Sequence, residues 1–434
     1  MTYQETITYL YNSAPLFQNI GQGAYKEGLS NTYTLDEYFE HPHRTFRTIH
    51  VAGTNGKGSC SHTLAAVLQS AGHKVGLYTS PHLVDFRERI RVNGEMIDEQ
   101  FVIDFVEQHR QFFEPLHPSF FELTTAMAFH YFAKQQVDIA VIEVGLGGRI
   151  DCTNIISPIL SIITNISFDH VGFLGDTLDK IAHEKAGIIK PHTPIIIGEH
   201  TKETRPVFET EAILRESPIT FAQDIPLIVS KSGDADYDIY QTIPYESLRF
   251  ALRGYCQDKN VNTLIHAIGE LKRIGYNIDE DSVREGFAHV CQLTGLMGRW
   301  QQLNNSPSLI CDTGHNIGGF QYLIPQILSQ PCQRLRIVFG MVNDKDINAV
   351  LAMMPKHAYY YFTQASVARA LPCHELRSIA AKHGLNGITY PTVKEATQAA
   401  LDEANIEDFI YVGGSNFIVG DLLADWEQIK MRRK

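Results

Sequence analysis

The stretch HVAGTNGKGSCSHTLAAVL, His50 to Leu68, carries the residue types of a phosphate-gripping loop in an unusual spacing. Gly53, Gly56 and Gly58 would let the backbone approach an anion closely, and Lys57 adds a point charge. The common phosphate loop reads G-x-x-x-x-G-K-[ST]. Here only Thr54 and Asn55 separate Gly53 from Gly56, and Gly58 sits between Lys57 and Ser59. A tight turn in an α/β protein is the plain alternative. The strand-like run before the loop and the helical pattern after it favour nucleotide phosphate, because free N–H groups and the helix dipole attract anions there.

Other polar residues stand where apolar runs end. Ser80, at the end of KVGLYTS, could coordinate Mg2+ or cap the turn before Pro81. Glu143 closes VDIAVIEVG, where a carboxylate is costly unless paired or metal-bound. Mg2+ held by a carboxylate and substrate phosphates is the economical explanation. Asp169 and His170 follow PILSIITNIS in the same way. A single histidine is more often structural than a ligand, but Ser80, Glu143 and His170 end three successive strand-like runs. Arg87, Arg89 and Arg91 alternate with apolar neighbours, as a basic face that meets carboxylates or as a solvated strand edge. Lys185 in HEKAGIIK reads, on the residues alone, as a solvated lysine on a helix. Arg299 in MGRWQQL and Asp312 and His315 in LICDTGHNIGGF could complete a site from across a cleft, though each alone is unremarkable.

The elements that must position these residues alternate strand with helix. TFRTIHVAG leads through the loop into SHTLAAVLQSAG, which has helical spacing and a terminal Gly72. VDIAVIEVG and PILSIITNIS are continuous apolar runs of the kind buried on both faces of a parallel sheet. Residues 198–249 carry Pro, Asp and Tyr with weak periodicity, and read as irregular or antiparallel β at the first domain's edge. Helical spacing returns in NVNTLIHAIGELKRIG. SLICDTG, RLRIVFGMV, AYYYFTQA and DFIYVGGS then start a new α/β rhythm. The fold class is therefore α/β. It comprises a doubly wound, mostly parallel sheet domain of phosphate-loop type over residues 1–296, and a smaller Rossmann-like α/β domain over residues 297–434.

A chain of 434 residues with 44% hydrophobic and 20% charged residues can bury a sizeable core. Its formal charge of −12 argues against nucleic-acid binding but allows small anionic substrates at local positive sites. The seven cysteines are dispersed and form no C-x-x-C, as in a reducing cytoplasm. MTYQETITYLYNSAP lacks a basic segment followed by an apolar one, so no secretory signal is expected. Apolar runs are too short to span a bilayer, and the basic end KMRRK reads as a solvated tail.

Taken in order, HVAGTNGKGS, LYTSPHL, ERI, EVGLGGR, DH…LG.T, EKAGIIK, GR, D.GHN and GGS.F resemble the motifs of folylpolyglutamate synthases and bifunctional dihydrofolate synthase/folylpolyglutamate synthases, relatives of the Mur amide ligases. The resemblance runs from about Gln18 to Trp426. It implies that the compressed loop is this family's own phosphate loop. It further implies an ATP- and Mg2+-dependent cytoplasmic ligase that joins L-glutamate to folates, and to dihydropteroate, through an acyl phosphate. Thr54, Asn55, Gly56, Lys57, Gly58, Ser59, Asn260, Arg299 and Asp312 would then serve ATP, and Ser80, Glu143 and His170 would hold Mg2+. Lys185 matches the family's carbamylated lysine, and His315 would lie near the reacting groups. Phe121, Glu122, Ile150, Asp151 and Cys152 correspond to the dihydropteroate-contacting positions. Within the pattern, Cys256 stands for the histidine of Gly-x-His-Gln-x-x-Asn, Met297 for a common proline, and DCTN for DATN. The expected partners are small molecules alone, with no nucleic acid or membrane, and a monomer is expected. The alternatives are a monofunctional folylpolyglutamate synthase, another Mur-type amide ligase, or a non-catalytic nucleotide-binding scaffold.

Overall fold

The computed structural model describes residues 1–13, 28–234 and 236–431, so Gln18 and the last three residues of KMRRK lie outside the described residues. The β-branched runs of the first half gather in one sheet. Its strands are β1 (Arg47–Ala52), β2 (Val75–Tyr78), β3 (Ile90–Val92), β4 (Glu95–Met96), β5 (Ile139–Glu143), β6 (Leu160–Ile163), β7 (Ile195–Ile197) and β8 (Ile219–Phe221). The order across the sheet is β4-β3-β2-β5-β1-β6-β7-β8. Strands from β2 to β8 in that order run parallel, and β3 and β4 extend one edge antiparallel. Val and Ile fill β1, β5 and β6 because helices cover both faces. The helices Lys57–Ser70, Gln257–Arg273 and Glu280–Ala288 pack one face around Ile49, Val51 and Val141. Glu99–Phe113 and Phe120–Gln135 pack the other around Tyr78, Ala140 and Ile142.

This order brings the residues after β2, β5, β1 and β6 to one edge, with β1 flanked by β5 and β6. Ligands of open α/β sheets gather at that carboxyl edge. The apolar runs read as strands from the sequence are strands. Residues 198–249 depart from the sequence reading in their first part, where the helix Arg205–Leu214 and the parallel strand β8 continue the main sheet. Only β9 (Ile228–Gly233), β10 (Asp238–Thr242) and β11 (Leu248–Phe250) form the antiparallel sheet expected there.

By its contacts the chain divides into two compact units. The first comprises Met1–Pro81, Phe86–Arg253 and Gln257–Leu296, and the second His82–Asp85, Gly254–Cys256 and Met297–Lys434. The second unit has its own sheet, of β12 (Gln301–Asn305), β13 (Ser308–Asp312), β14 (Leu335–Phe339), β15 (Tyr359–Phe362), β16 (Asn386–Thr389) and β17 (Phe409–Gly413). Their order is β12-β13-β17-β14-β15-β16, parallel except for β12. Helices cover both of its faces, giving two apolar layers, one around Phe320, Ile337 and Tyr360 and one around Val338, Ile410 and Ile418. Among the described residues no helix is long and apolar enough to cross a membrane.

Candidate functional site

The loop after β1 owes its shape largely to residues after β6. Thr164 Oγ1 donates to the Asn55 carbonyl at 2.6 Å, and Asn165 Nδ2 donates to the same oxygen at 3.1 Å. The Asn55 N–H donates to Asn165 Oδ1 at 3.0 Å, and the Thr54 N–H to the Asn165 carbonyl at 2.9 Å. Thr54 Oγ1 donates to the Ser167 carbonyl and accepts from the Ser167 N–H. Thr54 and Asn55 therefore fix the loop. The segment Thr164–Ser167 escaped the sequence reading, although its polar residues end an apolar strand as visibly as Glu143 does.

Gly53 sits at φ +144°, and a Cβ there would lie 1.9 Å from Thr164 Oγ1. Gly53→Ala is expected to destabilise the first unit by about 3 kcal/mol, through positive φ and overlap together. Thermal unfolding checks this, and an unchanged midpoint would contradict the loop geometry. Gly56, at φ +83°, precedes the helix Lys57–Ser70 and offers its first turn no side-chain cap. First-turn N–H groups left in this way suit an anion. Asn260 packs over Gly56, where an added Cβ would lie 2.4 Å from its Oδ1, and Asn260 Nδ2 donates to Gln257 Oε1 at 2.8 Å.

Two lysines converge on this loop. Lys57 Nζ donates to the carbonyls of Gly53 and Thr54 at 3.1 and 3.2 Å. Lys185 Nζ donates to the Gly53 carbonyl at 2.8 Å. Lys185 is 4% exposed, so its reading as a solvated lysine is corrected: the helix Leu178–Ala186 turns it into the sheet edge. Burial, and then the neighbouring charge of Lys57, lowers its pKa to about 7. Burial disfavours the charged form, and the second ammonium on the same carbonyl repels it, so Lys185 loses its proton more readily than a solvated lysine does.

Glu143, the last residue of β5, is 4% exposed and lies opposite Val51 of β1. Ser80 stands two residues beyond β2. His170, at φ +49°, precedes the short helix Val171–Leu174 and donates its N–H to Asp169 Oδ1 at 2.8 Å. The three thus follow β2, β5 and β6 at one edge. Among the described residues no three His, Cys, Asp or Glu side chains form a ready-made metal cluster. A hydroxyl, one buried carboxylate and an imidazole at that edge fit Mg2+, which takes few protein ligands and completes its shell with phosphate oxygens and water.

Arg87, Arg89 and Arg91 do not share one strand face. Arg87 and Arg89 lie in a short 3-10 turn, Phe86–Arg89, with Arg87 in an ion pair to Glu99 at 3.3 Å. Arg91 Nη1 donates to the Gly94 carbonyl. Arg89 is 3% exposed, with its guanidinium 5.2 Å from the Phe120 ring centre. Burial lowers its pKa, and Glu143 is among the charges that oppose this. Arg89 is thus the member of the set in the electrostatic neighbourhood of the candidate metal carboxylate.

The substrate candidates separate into two kinds. Asp151 accepts from the Leu146 N–H at 2.7 Å and from the Thr153 N–H at 3.0 Å, and burial raises its pKa. Thr153 Oγ1 meets His50 Nε2 at 2.8 Å, and burial, with the charge of Lys190, pushes His50 down to about 3. Glu122 Oε2 accepts from the Ser119 N–H at 2.6 Å in a capping box that starts the helix Phe120–Gln135. Both carboxylates hold local structure. Phe121 stacks on Tyr78 with ring centres 5.7 Å apart, and a Cβ on Gly145 would strike its ring at 2.4 Å. Cys152 has its thiol pushed up by burial, then by Asp151 and Glu122, while Ile150 is half-buried. Phe121, Ile150 and Cys152 are the apolar members of this set, with Tyr78 stacked behind Phe121.

In the second unit, Arg299, Asp312 and His315 meet at the end of β13. Asp312 accepts from the N–H groups of Trp300 and Gly314, each at 2.8 Å. Burial raises its pKa, opposed first by Arg299. His315 Nδ1 lies 3.0 Å from the Thr313 carbonyl.

Two family models match: the Mur ligase middle domain over residues 51–216, and the Mur ligase, glutamate ligase domain over residues 298–416. The dihydrofolate synthase/folylpolyglutamate synthase of Bacillus subtilis is 33% identical over 365 residues, covering 80% of this chain and 84% of its own. The chain belongs to the dihydrofolate synthase/folylpolyglutamate synthase family. A probable bifunctional folylpolyglutamate synthase/dihydropteroate synthase of Haloferax volcanii is 29% identical over 98% of the chain, which spans about half of that relative (51%). E. coli FolC in complex with DHPP and ADP superposes with a TM-score of 0.83 at 29% identity, covering 100% of this chain and 99% of that one. The Yersinia pestis family member with Mn, AMPPNP and L-glutamate gives 0.80 at 25% identity, covering 98% of each chain. The fold and motifs of the family therefore extend over both units.

Proposed function

We propose that this family member is an ATP-dependent ligase that adds L-glutamate to folates and to dihydropteroate. The observation that carries the reading is the meeting of Lys57 and Lys185 on the Gly53 carbonyl, at the sheet edge that also bears Ser80, Glu143 and His170. The relatives' names and their ADP-, DHPP- and glutamate-bound structures support it.

A carboxylate resists an amine because its charge repels the nucleophile and oxide cannot leave. Its oxygen attacks the γ-phosphorus of ATP, the bond to ADP breaks, and an acyl phosphate forms. The glutamate amine then attacks the carbonyl carbon, loses a proton, and phosphate departs with the electron pair. The chain chiefly positions groups and neutralises charge. Gly56, Gly58 and Ser59 present first-turn N–H groups to the triphosphate, Lys57 exchanges its loop carbonyls for phosphate oxygens, and Asn260 flanks the nucleotide. Ser80, Glu143 and His170 would hold Mg2+, which when bound supplies neutralising charge to the phosphates. The ammonium of Lys185 would lose one proton, and the free amine would attack CO2 with loss of a second, so that a carbamate anion replaces a cation beside the metal site. Phe121, Ile150 and Cys152 form the apolar wall for the pterin, backed by the buried Tyr78, while Asp151 and Glu122 shape it. Arg299 and Asp312 are assigned to ATP, and His315 to the reacting groups, on their motifs.

Purified protein with ATP, glutamate and either dihydropteroate or tetrahydrofolate tests this. Both acceptors should yield glutamylated product and ADP. Product from tetrahydrofolate alone would leave a monofunctional folylpolyglutamate synthase, and ADP release without either acceptor's involvement would overturn the ligase reading.

A further inference from the structure

Two residues of the motifs EVGLGGR and EKAGIIK, Arg149 and Glu184, have no part in the mechanism above, yet they join the segments that carry it. The Arg149 N–H donates to the Glu184 carbonyl at 2.7 Å. Its guanidinium Nε and Nη2 donate to Glu184 Oε1 at 3.1 and 2.9 Å. The backbones beneath this clasp touch. A Cβ on Gly148 would lie 2.8 Å from the Glu184 carbonyl oxygen and 3.0 Å from that of Lys185. A Cβ on Gly187 would lie 2.3 Å from the Arg149 Cα. Asn154 Nδ2 bridges the carbonyls of Arg149 and Gly187 at 3.1 and 3.0 Å. One side of this junction is the loop that leaves β5 just after Glu143, and the other is the end of the helix that carries Lys185.

We infer that Arg149 and Glu184 are positioning residues: their clasp, over the Gly148–Gly187 backbone contact, holds the carbamate of Lys185 in register with the carboxylate of Glu143. This rests on the carbamylated-lysine reading of the site. The geometry favours positioning over stability alone. The Arg149 side chain is half exposed and Glu184 is 15% exposed, so solvent at the guanidinium end screens the pair and keeps its contribution to folding modest. Partners outside the metal's own ligands nevertheless fix where those ligands stand.

The test supplies carbon-13 bicarbonate to the full-length protein and reads the lysine carbamate carbon by NMR, with Lys185→Ala as the blank. Arg149→Ala should lose most of the wild-type signal and raise the Mg2+ concentration for half-maximal activity roughly tenfold or more, the scale of losing an outer-shell partner. Its thermal midpoint should fall only modestly, because the guanidinium end of the pair is solvated, and Arg149→Lys should restore part of both readouts. Gly187→Ala should act in the same direction; should it fail to fold, Glu184→Gln reads the clasp alone. Full carbamate signal and an unshifted Mg2+ requirement in Arg149→Ala would overturn the inference. A wild-type protein with no carbamate signal would instead remove the carbamate reading, and the clasp's role with it.

Discussion

Lys57→Ala should lower folate-dependent ADP release by roughly 10²–10³-fold or more, about 3–4 kcal/mol of lost charge stabilisation. Among the described residues the ammonium donates to carbonyls of its own loop, at Gly53 and Thr54, so its removal orphans no carboxylate there. The loop's shape rests on Thr164, Asn165 and Ser167, which the substitution leaves in place. The loss should therefore fall on phosphoryl transfer and not on folding. Arginine should substitute poorly, because a planar fork does not replace a compact point charge in a glycine turn. Steady-state ADP release beside a thermal melt separates the two effects. A variant that turns over like wild type would contradict the phosphate-loop assignment.

Lys185→Ala should cost a comparable factor, and short-chain carboxylates should restore part of the activity by occupying the space of the missing carbamate. The wild type carries a matching pH signature. With its pKa lowered to about 7, Lys185 is mostly ammonium below that value and mostly free amine above it. Only the free amine adds CO2. Activity should fall as pH drops through about 7, and added bicarbonate should shift that limb to lower pH. Lys185→Ala rescued by acetate should lack the bicarbonate response. A bicarbonate-independent wild type, or a variant that no carboxylate rescues, would count against the carbamate.

Much of this was legible in the sequence because both sheets are built from continuous apolar runs, and a polar residue at the end of such a run marks the carboxyl edge. Glu143 announced itself in this way. Lys185 did not, since a helix pattern does not tell which turn faces a sheet edge and which faces water. The Arg87–Arg91 alternation looked like a strand because period-two spacing over a few residues also fits a 3-10 turn running into a short strand. Residues 205–221 were obscured for a related reason, since a one-sided helix and a three-residue strand carry weak periodicity. By motif Asp151 and Glu122 are assigned to the substrate, and their part in holding local structure is not visible there. The backbone N–H groups they satisfy depend on turns that only the folded chain defines.

The most direct test is a crystal structure with a non-hydrolysable ATP analogue and Mg2+. The account places the β- and γ-phosphates against the N–H groups of residues 56–59, with the Lys57 ammonium on their oxygens and the cation beside Glu143. A triphosphate bound away from residues 53–59, with no cation at Glu143, would contradict it.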